Sequence, residues 1–209
     1  IGRRRTDARV AVVIDVLRAF STACVAFERG IKAIVLARDE DVAFQLKREC
    51  PTYLLVGETD GRPIEGFDFG NSPTELSSAD IDGRVLIHKT TAGVPAALGA
   101  LDYDRVFVTG LMTAKATASH VGQLGAVQYI PSDPLGDEDI ACAEYMQGAI
   151  ALDQVRDRVV ASGAAQKFLR DEVPAFPRSD LEICLREAAT RFAMEVRVGD
   201  SPIVEKVNL

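Results

Sequence analysis

Four polar clusters stand immediately after short apolar runs in this sequence. Asp15-Val16-Leu17-Arg18-Ala19 follows Val10 to Ile14, and Gly57-Glu58-Thr59-Asp60 follows Tyr53 to Val56. Lys89-Thr90-Thr91-Ala92-Gly93 follows Val85 to Ile87; Ser132-Asp133, with Asp137-Glu138-Asp139 close behind, follows Val127 to Ile130. Carboxylates gathered in one place repel and raise one another's pKa unless a cation neutralises them, and hard oxygen ligands of this kind suit Mg²⁺. Thr90-Thr91-Ala92-Gly93 leads into a helical pattern with Pro95 in its first turn. Such a turn aims backbone N–H groups and the positive end of a helix dipole at an anion, phosphate among them. Ser, Thr and Asp at these positions also cap helices, which is their commoner task. Convergence of all four clusters on one edge would favour the chemical reading over the capping one.

The elements that must position these clusters alternate along the chain. Apolar runs at Val10 to Ile14, Ile34 to Ala37, Tyr53 to Val56, Val85 to Ile87, Val106 to Thr109 and Val127 to Ile130 are rich in β-branched residues and apolar on both faces. Segments with helical spacing lie between them: Ala19 to Arg29 stops at Gly30, Asp39 to Glu49 opens on acids, and Thr113 to Leu124 closes at Gly125. Strands buried on both faces and alternating with helices predict an α/β chain, a three-layer α/β/α sandwich with a mostly parallel sheet. In such a sheet the ligand crevice lies beyond the carboxyl ends of the strands, where the four clusters fall. From about Asp137 the pattern predicts a helix-rich C-terminal third, through Asp153 to Phe168 and Asp180 to Phe192, with breaks at Pro174 and Pro177. No linker or repeat divides the chain, so residues 1–209 read as one domain. The stretch from Gly57 to Pro73 is long and rich in Gly and Pro, and reads either as a binding loop or as a surface excursion.

Composition narrows the function classes. A net charge of -7, with no Trp, argues against a nucleic-acid or anionic-membrane binder. No apolar stretch is long enough to span a bilayer, and no secretory signal opens the sequence; the expected location is the cytoplasm. Cys24, Cys50, Cys142 and Cys184 are scattered singly, as buried free thiols are in a reducing compartment. The basic run Arg3-Arg4-Arg5 reads as part of a trimmed terminus. Neither G-x-G-x-x-G nor G-x-x-x-x-G-K-[ST] occurs, so the usual dinucleotide and P-loop signatures are missing. Leu17 stands where a paired-aspartate phosphatase would carry its second Asp, and no Cys has an Arg six residues later. His88 and His120 are little material for a His-rich zinc site and read as structural or surface groups.

Six separated blocks carry a resemblance. Val13 to Ala19, Gly57-Glu58, Gly66-Phe67-Asp68-Phe69-Gly70-Asn71-Ser72-Pro73, Thr90-Thr91-Ala92-Gly93, Glu138 to Ala143, and Phe176 to Leu181 with Cys184 resemble, in order and spacing, the 2-phosphosulfolactate phosphatase family. The resemblance implies an α/β/α fold and Mg²⁺-dependent hydrolysis of (R)-2-phospho-3-sulfolactate to 3-sulfolactate and phosphate, a step toward coenzyme M. One departure stands out: Thr90-Thr91-Ala92-Gly93-Val94-Pro95 replaces the family's Thr-Thr-Asn-Gly-Thr-Arg, with loss of an amide, a hydroxyl and a cation.

Together, residues and resemblance give a set of expectations. Mg²⁺ is held by Asp15, Glu58, Glu138 and Asp139. Asp15 acts either as nucleophile or as metal ligand for an attacking water. Arg18 clamps the phosphate or the acid head, with Asn71, Ser72, Thr90, Thr91 and the backbone at Gly93 supplying further contacts. The partner is a small phosphorylated acid. Alternatives are a family member that binds an anionic metabolite without hydrolysing it, and a module whose helical tail, Ala149 to Phe168, mediates homo-oligomerisation.

Overall fold

The structure is a computed structural model that describes residues 7–170, 172–188 and 191–209; the Arg3 to Arg5 run lies outside them. The first strand, β1 (Val10–Ile14), is buried along its whole length. It leads into α1 (Ala19–Glu28), whose residues 19–27 are all buried, so this is a central helix rather than a surface one. Next come β2 (Ala33–Leu36) and α2 (Glu40–Glu49). Asp39 caps α2 by accepting from the Val42 N–H at 2.8 Å, and acids at its start and Lys47 and Arg48 at its end complement the dipole. A tight hairpin joins β3 (Leu54–Thr59) to β4 (Arg62–Pro63). The chain continues through α3 (Pro73–Ser77), β5 (Val85–Lys89), α4 (Gly93–Gly99), β6 (Arg105–Thr109), α5 (Leu111–Val121) and β7 (Val127–Pro131). Thus all six strands expected from the apolar runs form, with ends shifted by a few residues at most.

The C-terminal third departs from expectation. Helices α6 (Asp137–Met146), α7 (Leu152–Ala161), α8 (Gln166–Arg170) and α9 (Arg178–Cys184) are present, but the helix expected to reach Phe192 ends at Cys184. Phe192 instead opens β8 (Phe192–Arg197), which pairs with β9 (Ile203–Asn208) as an antiparallel hairpin. This hairpin sits in the middle of a nine-stranded sheet of order β4-β3-β5-β2-β9-β8-β6-β1-β7 among the described residues. The sheet is therefore mixed rather than mostly parallel. β3, β5 and β2 form one parallel triplet, β6, β1 and β7 another, and β8–β9 joins them through antiparallel pairings to β6 and β2.

Three antiparallel pairings in succession leave the two triplets running in opposite directions. In a flat sheet their carboxyl ends would lie at opposite edges. Strands twist by about 20–25° per neighbour, so the five steps from β5 to β1 accumulate roughly 100° or more. The ends of β5 and β1 do meet: Gly93, beyond β5, lies against Asp15, beyond β1, and α4 packs on β1 and α1. The expectation of one parallel edge thus fails, while convergence holds by another route.

Alternation along β1 divides the interior. Ala11 and Val13 join one core with Phe20, Phe27, Leu76, Val94 and Met194, while Val10, Val12 and Ile14 join another with Phe107, Leu111, Val155 and Phe168. Helices consequently cover β1 from both sides. Among the described residues no helix is long and apolar enough to cross a membrane.

Because the hairpin is a central element and not an appended tail, its buried side chains should be costly to remove. Met194→Ala, at a fully buried site, is expected to cost about 2–5 kcal/mol of unfolding free energy. Asn208→Ala, on the exposed end of the same hairpin, is expected to stay within about 0.5 kcal/mol; urea unfolding compares the two.

Candidate active site

Asp15 is the first residue beyond β1 and lies buried at the junction with α1. Its Oδ1 accepts from the Ala19 N–H at 2.9 Å, so it performs the capping task as well. Its Oδ2 is 3.2 Å from the Ser132 hydroxyl, which follows β7. A Cβ on Gly93 would stand 2.6 Å from Asp15 Oδ2 and 2.6 Å from the Ala19 methyl, so only glycine lets α4 begin this close to the carboxylate. Burial pushes the Asp15 carboxyl up from 3.8 to about 6; the Glu58 and Glu138 carboxylates add to the rise, and the Ala19 and Ser132 bonds oppose it. Among the described residues Asp15 has no ion pair.

Asp139, in the first turn of α6, stands beside Asp15. Its Oδ1 accepts from the Val16 N–H at 2.8 Å, and its Oδ2 from the Ser132 N–H at 3.0 Å and the Ser132 hydroxyl at 2.8 Å. Burial first, then the Asp15 charge, holds the Asp139 carboxyl well above the usual range. One hydroxyl proton faces two carboxyls here.

Across the corner, Glu58 at the end of β3 is also buried. It accepts from the Thr91 N–H at 2.6 Å, from the Thr91 hydroxyl at 3.0 Å and from the Gly61 N–H. Asp60 and Gly61 both have positive φ, 52° and 79°, which makes the tight β3–β4 turn that delivers this N–H. Lys89 donates to the Glu58 carbonyl at 3.0 Å and the Thr59 hydroxyl at 2.6 Å, closing the two loops on each other.

A cleft of about 370 Å³ opens among Asp15, Arg18, Glu58, Asn71, Thr91 and Lys167. Of the expected site residues, five therefore line one cavity, and Gly93 packs directly behind Asp15. The others are placed differently. Thr90 is buried and receives the Val94 N–H at 2.9 Å, a helix-start role. Ser72 caps α3 through the Glu75 N–H at 3.2 Å and donates to Asp180 at 2.7 Å; it lines a neighbouring groove of about 340 Å³ that shares Arg18 and Asn71 with the cleft. Asn71 meets His88 at 3.2 Å, where burial lowers the imidazole to about 4 and keeps it neutral.

Arg18 is more heavily engaged than expected. Its Nη1 donates to Asp180 and to the Ala175 carbonyl at 2.8 Å, and Nη2 to the Gly61 carbonyl at 3.3 Å. Phe168 and Phe176 stack near its guanidinium, with centroids at 5.0 and 5.3 Å. Asp180 Oδ1 also accepts from Ser72 and from the Thr74 N–H at 3.0 Å. Asp180, Ser132, Gly61 and Lys167 were not singled out as site residues from the sequence. Ser132 follows an apolar run and Asp180 falls in a resemblance block, whereas Lys167 carried no signal inside a helical pattern.

Among the described residues no three or more His, Cys, Asp or Glu side chains gather as a metal-ligand cluster. Of the four carboxylates expected to hold a metal, Asp139 turns both oxygens to Val16 and Ser132. Of those four, Asp15 and Glu58 border the cleft, with Asp60 lining it beside them. Two hard-oxygen carboxylates remain a fit for Mg²⁺, which commonly takes one or two of them together with substrate phosphate and water.

The family model described as 2-phosphosulpholactate phosphatase matches residues 2–196. The chain belongs to the 2-phosphosulfolactate phosphatase family. A probable 2-phosphosulfolactate phosphatase of Bacillus subtilis (strain 168) is 42% identical over 96% of this chain and 92% of that protein. Proteins of the same description are 38% identical in Symbiobacterium thermophilum, over 67% of this chain and 64% of that protein, and 30% identical in Thermoplasma acidophilum, over 95% and 93%. The family consists of phosphoric monoester hydrolases. Of this member's three departures from the 2-phosphosulfolactate phosphatase pattern, only Ala92 borders the cleft; Val94 is buried in the core and Pro95 is exposed.

Two stability effects follow. The folded Asp15 value lies above the unfolded one of 3.8, so the stability it contributes is present below pH 4 and lost as pH rises through about 6. In EDTA, Asp15→Asn should therefore be more stable than the parent at pH 8, by on the order of 3 kcal/mol, with the gap closing toward pH 4. Asp180→Asn removes the charge that balances buried Arg18 and should lower stability by about 3–5 kcal/mol. Denaturant titrations at the two pH values measure both.

Proposed function

We propose that this chain is a Mg²⁺-dependent phosphatase that cleaves the phosphoester of 2-phosphosulfolactate, releasing 3-sulfolactate and phosphate. The supporting observation is a buried carboxylate, Asp15, lying without an ion pair among the described residues at the wall of a cleft that Glu58 also borders. An uncompensated like-charge pair is favourable only where a cationic or cation-bridged ligand completes it. Asp15 and Glu58 would hold the ion. Bound there, Mg²⁺ supplies neutralising charge for the phosphoryl oxygens.

In this reading Asp15 is the nucleophile. The Ala19 N–H fixes Oδ1, which leaves Oδ2, beside Gly93, to attack phosphorus. The ester P–O bond breaks, the departing oxygen of the hydroxy acid takes up a proton from water, and a second water then cleaves the acyl phosphate, releasing inorganic phosphate and restoring the carboxylate. Ser132 orients Oδ2, and Glu58 with Thr91 sets the opposite wall. Asn71 has its carbonyl oxygen occupied by His88, so its amide N–H groups are the ones free to meet substrate oxygens. A cytoplasmic site of action and a step toward coenzyme M belong to the same proposal, the first supported by four free cysteines and the second by the chemistry of the product.

Phosphate release from 2-phosphosulfolactate, with and without Mg²⁺, tests the reading. Turnover should require the metal, and Asp15→Asn should lose at least about 100-fold in kcat, the scale of removing a reacting group. Hydroxylamine should trap an acyl phosphate in the parent and not in the variant. Retained turnover in Asp15→Asn would sink the proposal. A non-hydrolysing binder, the reading that Ala92 favours by removing an amide from the wall, would show ligand-induced stabilisation without phosphate release.

A further inference from the structure

Two cations border the cleft, and they are in opposite situations. Arg18 is bound to Asp180, Ala175 and Gly61, so its guanidinium is largely consumed in holding the wall together. Lys167, from α8, makes no hydrogen bond or ion pair among the described residues, although it borders the same cleft. Its Nζ lies 4.6 Å from the Phe176 ring centroid and 5.6 Å from that of Phe168. It also stands 3.5 Å from where a Cβ on Gly61 would be, so the bare turn leaves the ammonium room. Burial, and then the nearby Arg18 charge, pushes Lys167 below the usual lysine range, with Glu58, Asp15 and Glu138 only partly offsetting this. A flexible lysine on a surface helix ordinarily extends to water. Lys167 is exposed as a residue, yet its ammonium lies over two aromatic faces that favour a cation, at the rim of the cleft and without an anion among the described residues.

We propose that Lys167 is a specificity-determining residue of this site, its ammonium binding the second acid group of the substrate, carboxylate or sulfonate, and not the phosphoryl group. The inference rests on the phosphatase reading for the identity of the substrate. Placement supports it. Asp15, where the phosphoryl group reacts, is enclosed by Ala19, Gly93 and Ser132 at the ends of β1, β5 and β7. Lys167 belongs to the other wall, with Phe168, Phe176 and the Gly61 turn. A ligand with phosphate at one end and an acid group at the other spans the two walls. A simple phosphate monoester leaves the Lys167 charge unused. Because Arg18 is already bonded on both terminal nitrogens, it is a poor substitute for this contact.

The test uses two probes by calorimetry in Mg²⁺: 3-sulfolactate, which has no phosphoryl group, and inorganic phosphate, which has no acid head. Lys167→Met should weaken 3-sulfolactate by about ten-fold or more and leave phosphate within about three-fold, the scale of one charge-assisted hydrogen bond lost from one probe only. Lys167→Arg should keep most of the affinity for both. With 2-phosphosulfolactate, Lys167→Met should raise KM by a factor similar to the affinity loss, with kcat little changed. Lys167→Gln serves as the neutral variant if the Met form does not fold. Equal loss for both probes would place the ammonium on the phosphoryl group and overturn the inference, as would unchanged 3-sulfolactate binding or no binding by the parent. Lys167-dependent 3-sulfolactate binding in a parent that releases no phosphate would leave this inference standing and end the phosphatase reading instead.

Discussion

The buried pair of Arg18 and Asp180 is the interaction on which the rest of the site depends. It joins the start of α1 to α9, and Asp180 carries α3 with it through Ser72 and the Thr74 N–H. Arg18 meanwhile reaches the Gly61 carbonyl, so the turn that supports Glu58 is tied to the same guanidinium. A buried ion pair is weak as a source of net stability, since desolvating both charges cancels much of their attraction. Its value here is registration. Four segments far apart in sequence are brought to one guanidinium and one carboxylate, each with several directional bonds that admit few other arrangements.

That registration permits an unfavourable neighbour. Asp15, Asp139, Glu58 and Glu138 are all buried, and burial raises the first two well out of the ordinary carboxylate range. Backbone N–H groups at Ala19, Val16, Ser132 and Thr91 hold the oxygens of three of them in place. Backbone donors stabilise a carboxylate's position without neutralising its charge. The corner is accordingly ordered but electrostatically incomplete, which is the condition of a preorganised binding site.

Much of this was legible in the sequence for a local reason. Asp15 and Glu58 stand at the ends of β-branched apolar runs, and a run of that kind forms a strand whatever its neighbours do. The sheet as a whole was not legible, because register and direction depend on which strands pair. Residues 192–197 alternate Ala193 and Glu195 against Met194 and Val196, and Gly199 to Pro202 supplies a turn. Those signals lay beyond a helical pattern that was extended too far, to Phe192. Asp180 was invisible as a site residue for a different reason, since it meets Arg18 and Ser72 across more than 100 positions, and Lys167 because its place on the cleft depends on where α8 packs, which the helical pattern does not encode. Arg18 was recognised by its place after β1, but its partners, and hence its occupation, were not.

The central hairpin also has a bearing on how the chain acquires its structure. Each parallel triplet is built from residues that precede position 132, yet β2 and β6 both present an edge to the gap that residues 192–208 fill. Until that hairpin is available, two open strand edges lie exposed, the kind of surface that pairs with other chains. Joining them requires contacts between residues near 35 and 204, a closure that is slow because of its length. During synthesis the two triplets therefore cannot be joined through β8 and β9 until residues 192–208 have been made.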